Sequence, residues 1–227
     1  MMADDAFQEL RTGFTAAVSH ELRTPLARLL ALLESASLPG AEMEELLGQA
    51  RAEVEQMTEL VDDILFLSEL ESGRAVVGLG GTRVAPIVED VLVALRPRAE
   101  RADQELVTLV AQDAEVPLRP RMLRVIVENL VANAIRYAGD GARCTVSARR
   151  EGDVTLVSVA DNGAGVPDDE LGRLFERFYR GDRARTTHGT GLGLAIVKHV
   201  VTEAGGEVEA RRGPGGLGLE VRCTFPA

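Results

Sequence analysis

Tryptophan is absent from this 227-residue sequence, and its aromatic positions amount to two tyrosines and six phenylalanines. Aliphatic side chains must therefore build whatever core exists, and at 45% hydrophobic residues there are enough for one large or two small domains. Cysteine is also scarce. Cys144 and Cys223 fit neither a metal-ligand spacing nor a disulfide framework, and both fall in strand-like segments, so they read as small core residues in a reducing compartment. Positive charge is in deficit, with 25 Lys and Arg against 36 Asp and Glu and a net charge of −11. That balance argues against a nucleic-acid partner and against binding an anionic membrane surface, since both need basic patches. No uncharged apolar run approaches the ~18 residues of a membrane span, and the N-terminus lacks a signal-peptide pattern. The segment is expected to be soluble and cytoplasmic, with no membrane contact of its own, either as given or as the cytoplasmic portion of a membrane receptor. Internal repeats and low-complexity tracts are missing as well.

What is present begins with two long amphipathic patterns. From Phe14 the apolar positions continue at Val18, Leu22, Pro25, Leu29 and Leu32 or Leu33, in steps of three and four, which predicts a helix from about Asp4 to Ser35. Ser37-Leu38-Pro39-Gly40 predicts a turn. A second helix is expected from about Ala41 to Glu71, with a heptad seam at Leu47, Ala50, Val54, Met57, Val61, Ile64 and Ser68 and a flanking row at Leu46, Leu60 and Leu67. Two helices cannot cover such broad stripes against each other alone. The economical solution is a second copy, an antiparallel hairpin that dimerises into a four-helix bundle; packing onto the rest of the same chain is the alternative.

Ser72-Gly73 and then Gly78, Gly80 and Gly81 mark a boundary, which divides the chain into a helical hairpin over residues 1–73, a hinge linker over 74–81 and a second domain over 82–227. In the second domain helices and strands alternate. Helices are expected at Ala85–Arg101, Pro120–Tyr137 and from Thr190 to about Ala204, with short helical turns at Asp168–Phe175. Strands are expected at Glu105–Ala111, Arg143–Arg150, Val154–Ala160, Glu207–Arg212 and Leu219–Phe225. The last four form two hairpins, so the fold class is α+β: a mixed, mostly antiparallel sheet covered on one face by helices.

Chemistry concentrates in five stretches. The first is Ser19-His20-Glu21-Leu22-Arg23-Thr24-Pro25-Leu26. At 100° per residue His20 lies about 200° from both Val18 and Leu22, so its imidazole should face solvent beside Glu21, with Thr24 one turn on. Pro25 cannot donate to the Glu21 carbonyl, which predicts a bend there. An isolated histidine on a polar helix face is ordinarily a solvated surface residue. A carboxylate-flanked imidazole at a kink is nonetheless suited to attack phosphorus. The second is Glu128-Asn129-Leu130-Val131-Ala132-Asn133-Ala134-Ile135-Arg136-Tyr137, in which Asn129 and Asn133 share a helix face while Ile126, Leu130, Val131 and Ala134 can take the buried side. Amide oxygens are suitable hard ligands for Mg²⁺ shared with phosphates. Third is Asp161-Asn162-Gly163-Ala164-Gly165-Val166-Pro167, at the end of a strand. A carboxylate there can accept from an exocyclic amine on a flat base and would repel a carbonyl oxygen at the same position. Fourth comes Leu174-Phe175-Glu176-Arg177-Phe178-Tyr179, and fifth Gly189-Thr190-Gly191-Leu192-Gly193-Leu194-Ala195-Ile196-Val197-Lys198, a glycine-rich opening of a helix whose free N–H groups suit a triphosphate.

Together these stretches resemble the H-box, N-box, G1 box, F-box and G2 box of sensor histidine kinases, whose ATP-binding domain is shared with the wider GHKL ATPases. The resemblance covers nearly the whole chain, from about Phe14 to Phe225. It implies a homodimeric kinase core that uses ATP and Mg²⁺ to phosphorylate His20 and then passes the phosphoryl group to an aspartate of a response regulator receiver domain. Glu21 would serve as base or imidazolium partner, and Thr24 would orient a water for phosphatase activity. By the same resemblance Asn133 holds Mg²⁺, Asn129 supports the phosphates, Arg136 lies near the phosphate chain and Tyr137 against the adenine. Asp161, Gly163 and Gly165 take the base, and Gly189, Thr190, Gly191, Leu192 and Gly193 the triphosphate, while Phe175 and Phe178 anchor a lid carrying Arg177, Arg180, Arg183 and Arg185. The lid is a residue or two short of the family pattern, and His188 stands where a glycine is often found. Two other readings remain: a GHKL-type ATP hydrolase, which would need a glutamate where Asn129 stands, and a catalytically silent ATP-binding dimeric scaffold.

Overall fold

The computed structural model describes residues 2–38, 42–71, 76–181 and 189–226, and the side chains among them except those of residues 2–17, 71 and 79. The predicted turn at Pro39-Gly40, the Ser72-Gly73 stop and the lid residues Arg183, Arg185 and His188 lie outside the described residues. Two compact units are formed, one comprising Met1–Phe66 and His188–Thr190, the other Leu67–Thr187 and Gly191–Ala227. Each is described by itself.

In the first unit, helix α1 spans Met2–Ala36 and is continuous through Pro25; helix α2 begins at Met43 and ends at Glu71. The expected stripe of α1 is covered where its side chains are described: Pro25 is buried, and Val18, Leu22, Leu29 and Leu32 are half-buried. The choice left open between Leu32 and Leu33 resolves to Leu32, since Leu33 is 58% exposed. Within this unit Leu60 of the α2 flanking row is buried and Leu46 half-buried, whereas the seam residues Leu47, Val54 and Val61 are exposed by 63%, 49% and 41%; Leu67, also buried, groups with the second unit. Arg28 of α1 meets Glu53 of α2 at 3.5 Å.

The second unit opens with β1 (Val77–Arg83), which pairs antiparallel with β3 (Glu115–Leu118), Val77 opposite Leu118 and Arg83 opposite Glu115. Gly78, Gly80 and Gly81, expected in a linker, therefore lie within a strand. Its register shifts between Val77 and Thr82, and that irregularity, with three glycines, erases the alternation by which a strand is recognised. Helix α3 (Val84–Arg101) leads to β2 (Glu105–Val110), and α4 (Pro120–Tyr137) opens on the proline that a first helical turn accepts. Strands β4 (Arg143–Glu151) and β5 (Val154–Asp161) form one hairpin; β6 (Glu207–Arg212) and β7 (Leu219–Pro226) form another. A short α5 (Asp168–Leu171) and α6 (Gly193–Glu203) fall between the hairpins.

The larger sheet runs β2-β4-β5-β7-β6, parallel only between β2 and β4. Its rows explain its two faces. Val146, Val159 and Val221 are cross-strand neighbours, as are Ala148, Val157 and Cys223, and all six are buried. Onto this side pack the apolar stripes of α3 (Val88, Val91, Leu92), α4 (Met122, Ile126, Val127, Leu130, Val131) and α6 (Ile196, Val197, Val200, Val201). Each such aliphatic side chain contributes about 1.5–3 kcal/mol on full burial. The opposite face carries the row Ser147, Ser158, Arg222 and Glu209, where the serine hydroxyls are 2.9 Å apart. One apolar and one polar face make this a two-layer α+β sandwich with helices on a single side.

Candidate functional site

Three carbonyl ends and one carboxylate organise the second unit's site. Asp161, the last residue of β5, is 8% exposed, and its Oδ1 accepts from the Gly163 N–H at 2.9 Å and the Leu219 N–H at 3.3 Å. Neither bond uses Oδ2. Burial raises the Asp161 pKa above the ordinary carboxylate value, and the two backbone donors oppose that rise. Its cross-strand neighbour Cys144 is a free thiol pushed up to about 12, by burial first and by the Asp161 charge second. A fixed carboxylate with one oxygen uncommitted, at the end of a strand and against an apolar floor, suits recognition of an amine on a flat base.

Gly163 is required by packing. A Cβ there would overlap the carbonyl and Cα of Ala138, just past the end of α4, whose carbonyl accepts from the Ala164 N–H at 3.3 Å. The stretch after β5 is thus seated on the end of the helix that carries Arg136, half-buried, and Tyr137, 37% exposed. Gly165, half-buried, approaches the β6–β7 turn.

On α4, Asn129 and Asn133 are half-buried one turn apart. The Asn129 amide donates to Val125 O at 2.9 Å, and its Oδ1 lies so near Gly193 that a Cβ there would overlap it. The glycine that opens α6 therefore lies against Asn129 of α4. Leu192, at the α6 N-cap, is fully buried. Phe178 takes a positive φ of 61° and donates its N–H to Gly191 O at 2.9 Å, joining the fourth stretch to the fifth. Tyr179 donates to Glu170 at 3.0 Å with the Arg173 guanidinium 4.3 Å above its ring. Gly189 and Thr190 are buried, and Thr190 groups with the helical unit.

Among the described residues no three His, Cys, Asp or Glu side chains gather as a metal cage. Mg²⁺ commonly binds through one or two protein oxygens and shares the rest with phosphates and water, and the amide oxygen of Asn133, half-buried one turn from Asn129, is a donor of that kind.

In the helical unit His20 and Thr24 are exposed and Glu21 is half-buried. The Thr24 hydroxyl turns back to the His20 carbonyl at 3.4 Å. The second unit thus seats Gly163, whose N–H holds Asp161, on the end of α4, sets Gly165 against the β6–β7 turn and places Gly193, next to Leu192, against Asn129 further back on the same helix, whereas His20, Glu21 and Thr24 form their own group on α1. Sequence reasoning missed the Leu219 N–H, which braces Asp161 from the far hairpin; its signal was the glycine-rich Gly213–Gly218 turn, read only as a turn.

Residues 10–73 match the model of the His Kinase A (phospho-acceptor) domain, and residues 119–227 match that of the histidine kinase-, DNA gyrase B- and HSP90-like ATPases. The sensor-like histidine kinase SenX3 of Mycobacterium tuberculosis is 35% identical over 223 residues, which cover 96% of this chain and 54% of SenX3. This chain thus spans about half the length of that relative. Among solved structures, full-length ShkA in complex with AMPPNP is similar at 29% identity with a TM-score of 0.66, over 93% of this chain and 45% of ShkA. Histidine kinase ThkA in complex with the response regulator TrrA shares the fold at 18% identity and a TM-score of 0.78, over 98% of this chain and 63% of that one. With a phospho-acceptor helix pair followed by the matching ATPase fold in a single chain, the protein belongs to the sensor histidine kinases of two-component systems.

Proposed function

We propose that this chain is the catalytic core of a dimeric histidine kinase that phosphorylates His20 from ATP and transfers the phosphoryl group to an aspartate of a response regulator. The observation that carries the proposal is Asp161, a buried carboxylate whose Oδ1 is locked by two backbone donors while Oδ2 is left for an adenine amine. ShkA, which this chain resembles, is seen with a nucleotide analogue, and ThkA with a response regulator.

In the proposed reaction an imidazole nitrogen of His20 attacks the γ-phosphorus. An N–P bond forms, the bond to the β,γ-bridging oxygen breaks, and its electron pair leaves with ADP. Glu21 holds the proton or supports the imidazolium, and exposure of His20 gives the phosphoryl group room to arrive in line. Asn133, with Asn129 alongside, would hold Mg²⁺, which when bound supplies positive charge to the phosphates. Arg136 attends the phosphate chain, Tyr137 the base, and Gly189 to Gly193 the phosphates at the head of α6. The carboxylate of the regulator's aspartate then displaces the histidine nitrogen at phosphorus. Thr24, one turn from His20, orients a water that attacks the phosphorus of the regulator's phosphoaspartate, releasing inorganic phosphate and the free carboxylate. A second copy covers the exposed seam of α2, and the core works in the cytoplasm as a tethered pair of units, the helical hairpin and the α+β domain that opens with β1.

A hydrolase gains no support from the geometry. Where it would need a glutamate stands Asn129, whose amide is committed to Val125, and Glu128 pairs with Arg124 at 3.5 Å. Incubation with γ-labelled ATP and Mg²⁺ should label the chain in an acid-labile, alkali-stable bond. Retention of that label in His20→Ala would falsify the assignment, and steady phosphate release without labelled protein would favour the hydrolase.

A further inference from the structure

We infer that Gln104 is a positioning residue for the nucleotide site, acting through the end of α4; the inference rests on the nucleotide-binding reading above. Gln104 follows α3, whose helix closes with the Gln104 N–H on Ala99 O at 2.9 Å and Asp103 at a φ of 51°. Its side chain, 8% exposed, reaches across to α4 and donates both amide protons from Nε2, to Ile135 O at 3.1 Å and to Gly139 O at 2.9 Å. Both acceptors are carbonyls, so the amide has only this orientation: a flipped Oε1 would face two oxygens. The final carbonyls of a helix have no partner inside it. Here the Ile135 carbonyl is satisfied by Gln104 and the Ala138 carbonyl by the Ala164 N–H. Between those two anchored carbonyls lie Arg136 and Tyr137, assigned to phosphate chain and base, and on the second anchor sits Gly163, whose N–H fixes Asp161. The corner is stitched a third time by the Gly141 N–H on Asp103 O at 3.0 Å.

The amide is not an economical way to fill this space. Gln104 Oε1 is buried with no hydrogen-bond partner, and a half-satisfied polar group stabilises less than an apolar side chain of the same shape. What the amide adds is direction, holding the last turn of α4, which carries Arg136 and Tyr137 and seats Gly163 on Ala138.

The test replaces the donors and keeps the shape. In the full chain, Gln104→Met removes both N–H groups, and Gln104→Glu turns a carboxylate on the same two carbonyls. The Kd for Mg·ATP and the KM for autophosphorylation should rise roughly five- to tenfold in Gln104→Met and further in Gln104→Glu, with kcat at saturating ATP within about twofold of the parent. In the parent chain, the Gln104 side-chain amide protons should exchange slowly and their resonances should shift when Mg·ATP is added, a measurement independent of either variant's folding. Parental Kd and KM in Gln104→Met, or side-chain resonances indifferent to nucleotide, would overturn the inference and leave the kinase reading intact. A parent chain that binds no Mg·ATP removes both.

Discussion

Replacing Asp161 by asparagine separates what the carboxylate does for binding from what it costs the fold. The Gly163 and Leu219 N–H groups both point at Oδ1, so the amide oxygen of the variant is drawn to that position and its NH₂ takes the place of Oδ2. A nucleotide amine that met an acceptor then meets a donor. A hydrogen bond to a charged group contributes about 1.5–3 kcal/mol, which converts to a roughly ten- to 150-fold rise in the Kd for Mg·ATP. Guanine, with a carbonyl oxygen at the corresponding atom, suffers no such mismatch, so the preference for ATP over GTP should narrow. Stability should move the other way. The native pKa of Asp161 is raised, chiefly by burial, so the native state holds its proton at pH values where the unfolded chain has lost it. The parent therefore loses stability as pH rises from the ordinary carboxylate value to the raised native one, and stays at that reduced level above it. Asp161→Asn escapes this loss. Its Tm should exceed the parent's at neutral pH, and the gap should close as pH falls through the native pKa. Titration with Mg·ATP and Mg·GTP, together with melting curves across pH, checks both halves. A variant that binds ATP within twofold of the parent would refute the placement of adenine against Oδ2.

Val61→Glu places a charge in the exposed seam of α2; light scattering should show the mass of the parent dimer fall to that of one chain, and a parent that is itself monomeric sinks the bundle. Gly163→Ala drives a methyl group into the Ala138 backbone, so its urea midpoint should fall by the equivalent of about 1–3 kcal/mol with an unchanged slope, and its ATP affinity should fall with it. Cys144 and Cys223, both buried with pKa values near 12, should resist thiol reagents at pH 8 in the native protein and react promptly in denaturant; fast native labelling would contradict their placement in the core.

The elements with a continuous period were legible in advance. The Pro120–Tyr137 helix begins and ends where the proline and the apolar stripe place it, and both hairpins match within a residue or so. The β1–β3 pair was not legible, because its first strand is interrupted by three glycines and its second is four residues long. The parallel pairing of β2 with β4 was equally hidden, since a strand's own alternation does not encode its neighbour's direction. At the site, residues in motifs were readable because several boxes occur in order. Gln104 and the Leu219 N–H were not, for opposite reasons: one is an isolated polar residue and the other acts through its backbone, which carries no side-chain signature.

The helical unit shows why a strict heptad need not be the row that a single chain buries. Within this unit the flanking leucine Leu60 is covered, while Leu47, Val54 and Val61, each seven residues from the next, remain between 41% and 63% exposed. On α1, Leu26, Leu30 and Leu33 are left 45%, 60% and 58% exposed at helical spacing. Covering these exposed leucines and valines would stabilise the unit at about 25 cal/mol per Å² of apolar surface removed from water. The unit also holds Glu53, 7% exposed, against Arg28 at 3.5 Å. A buried charge of this kind adds little net stability, but it penalises any sliding of α1 on α2 that would part the pair. The polar contact thus favours one register inside the hairpin, and the apolar seam is left for the proposed second copy. Arg28→Leu should accordingly weaken the pairing of α1 with α2 more than its exposed position suggests, because Glu53 would then be buried without a partner.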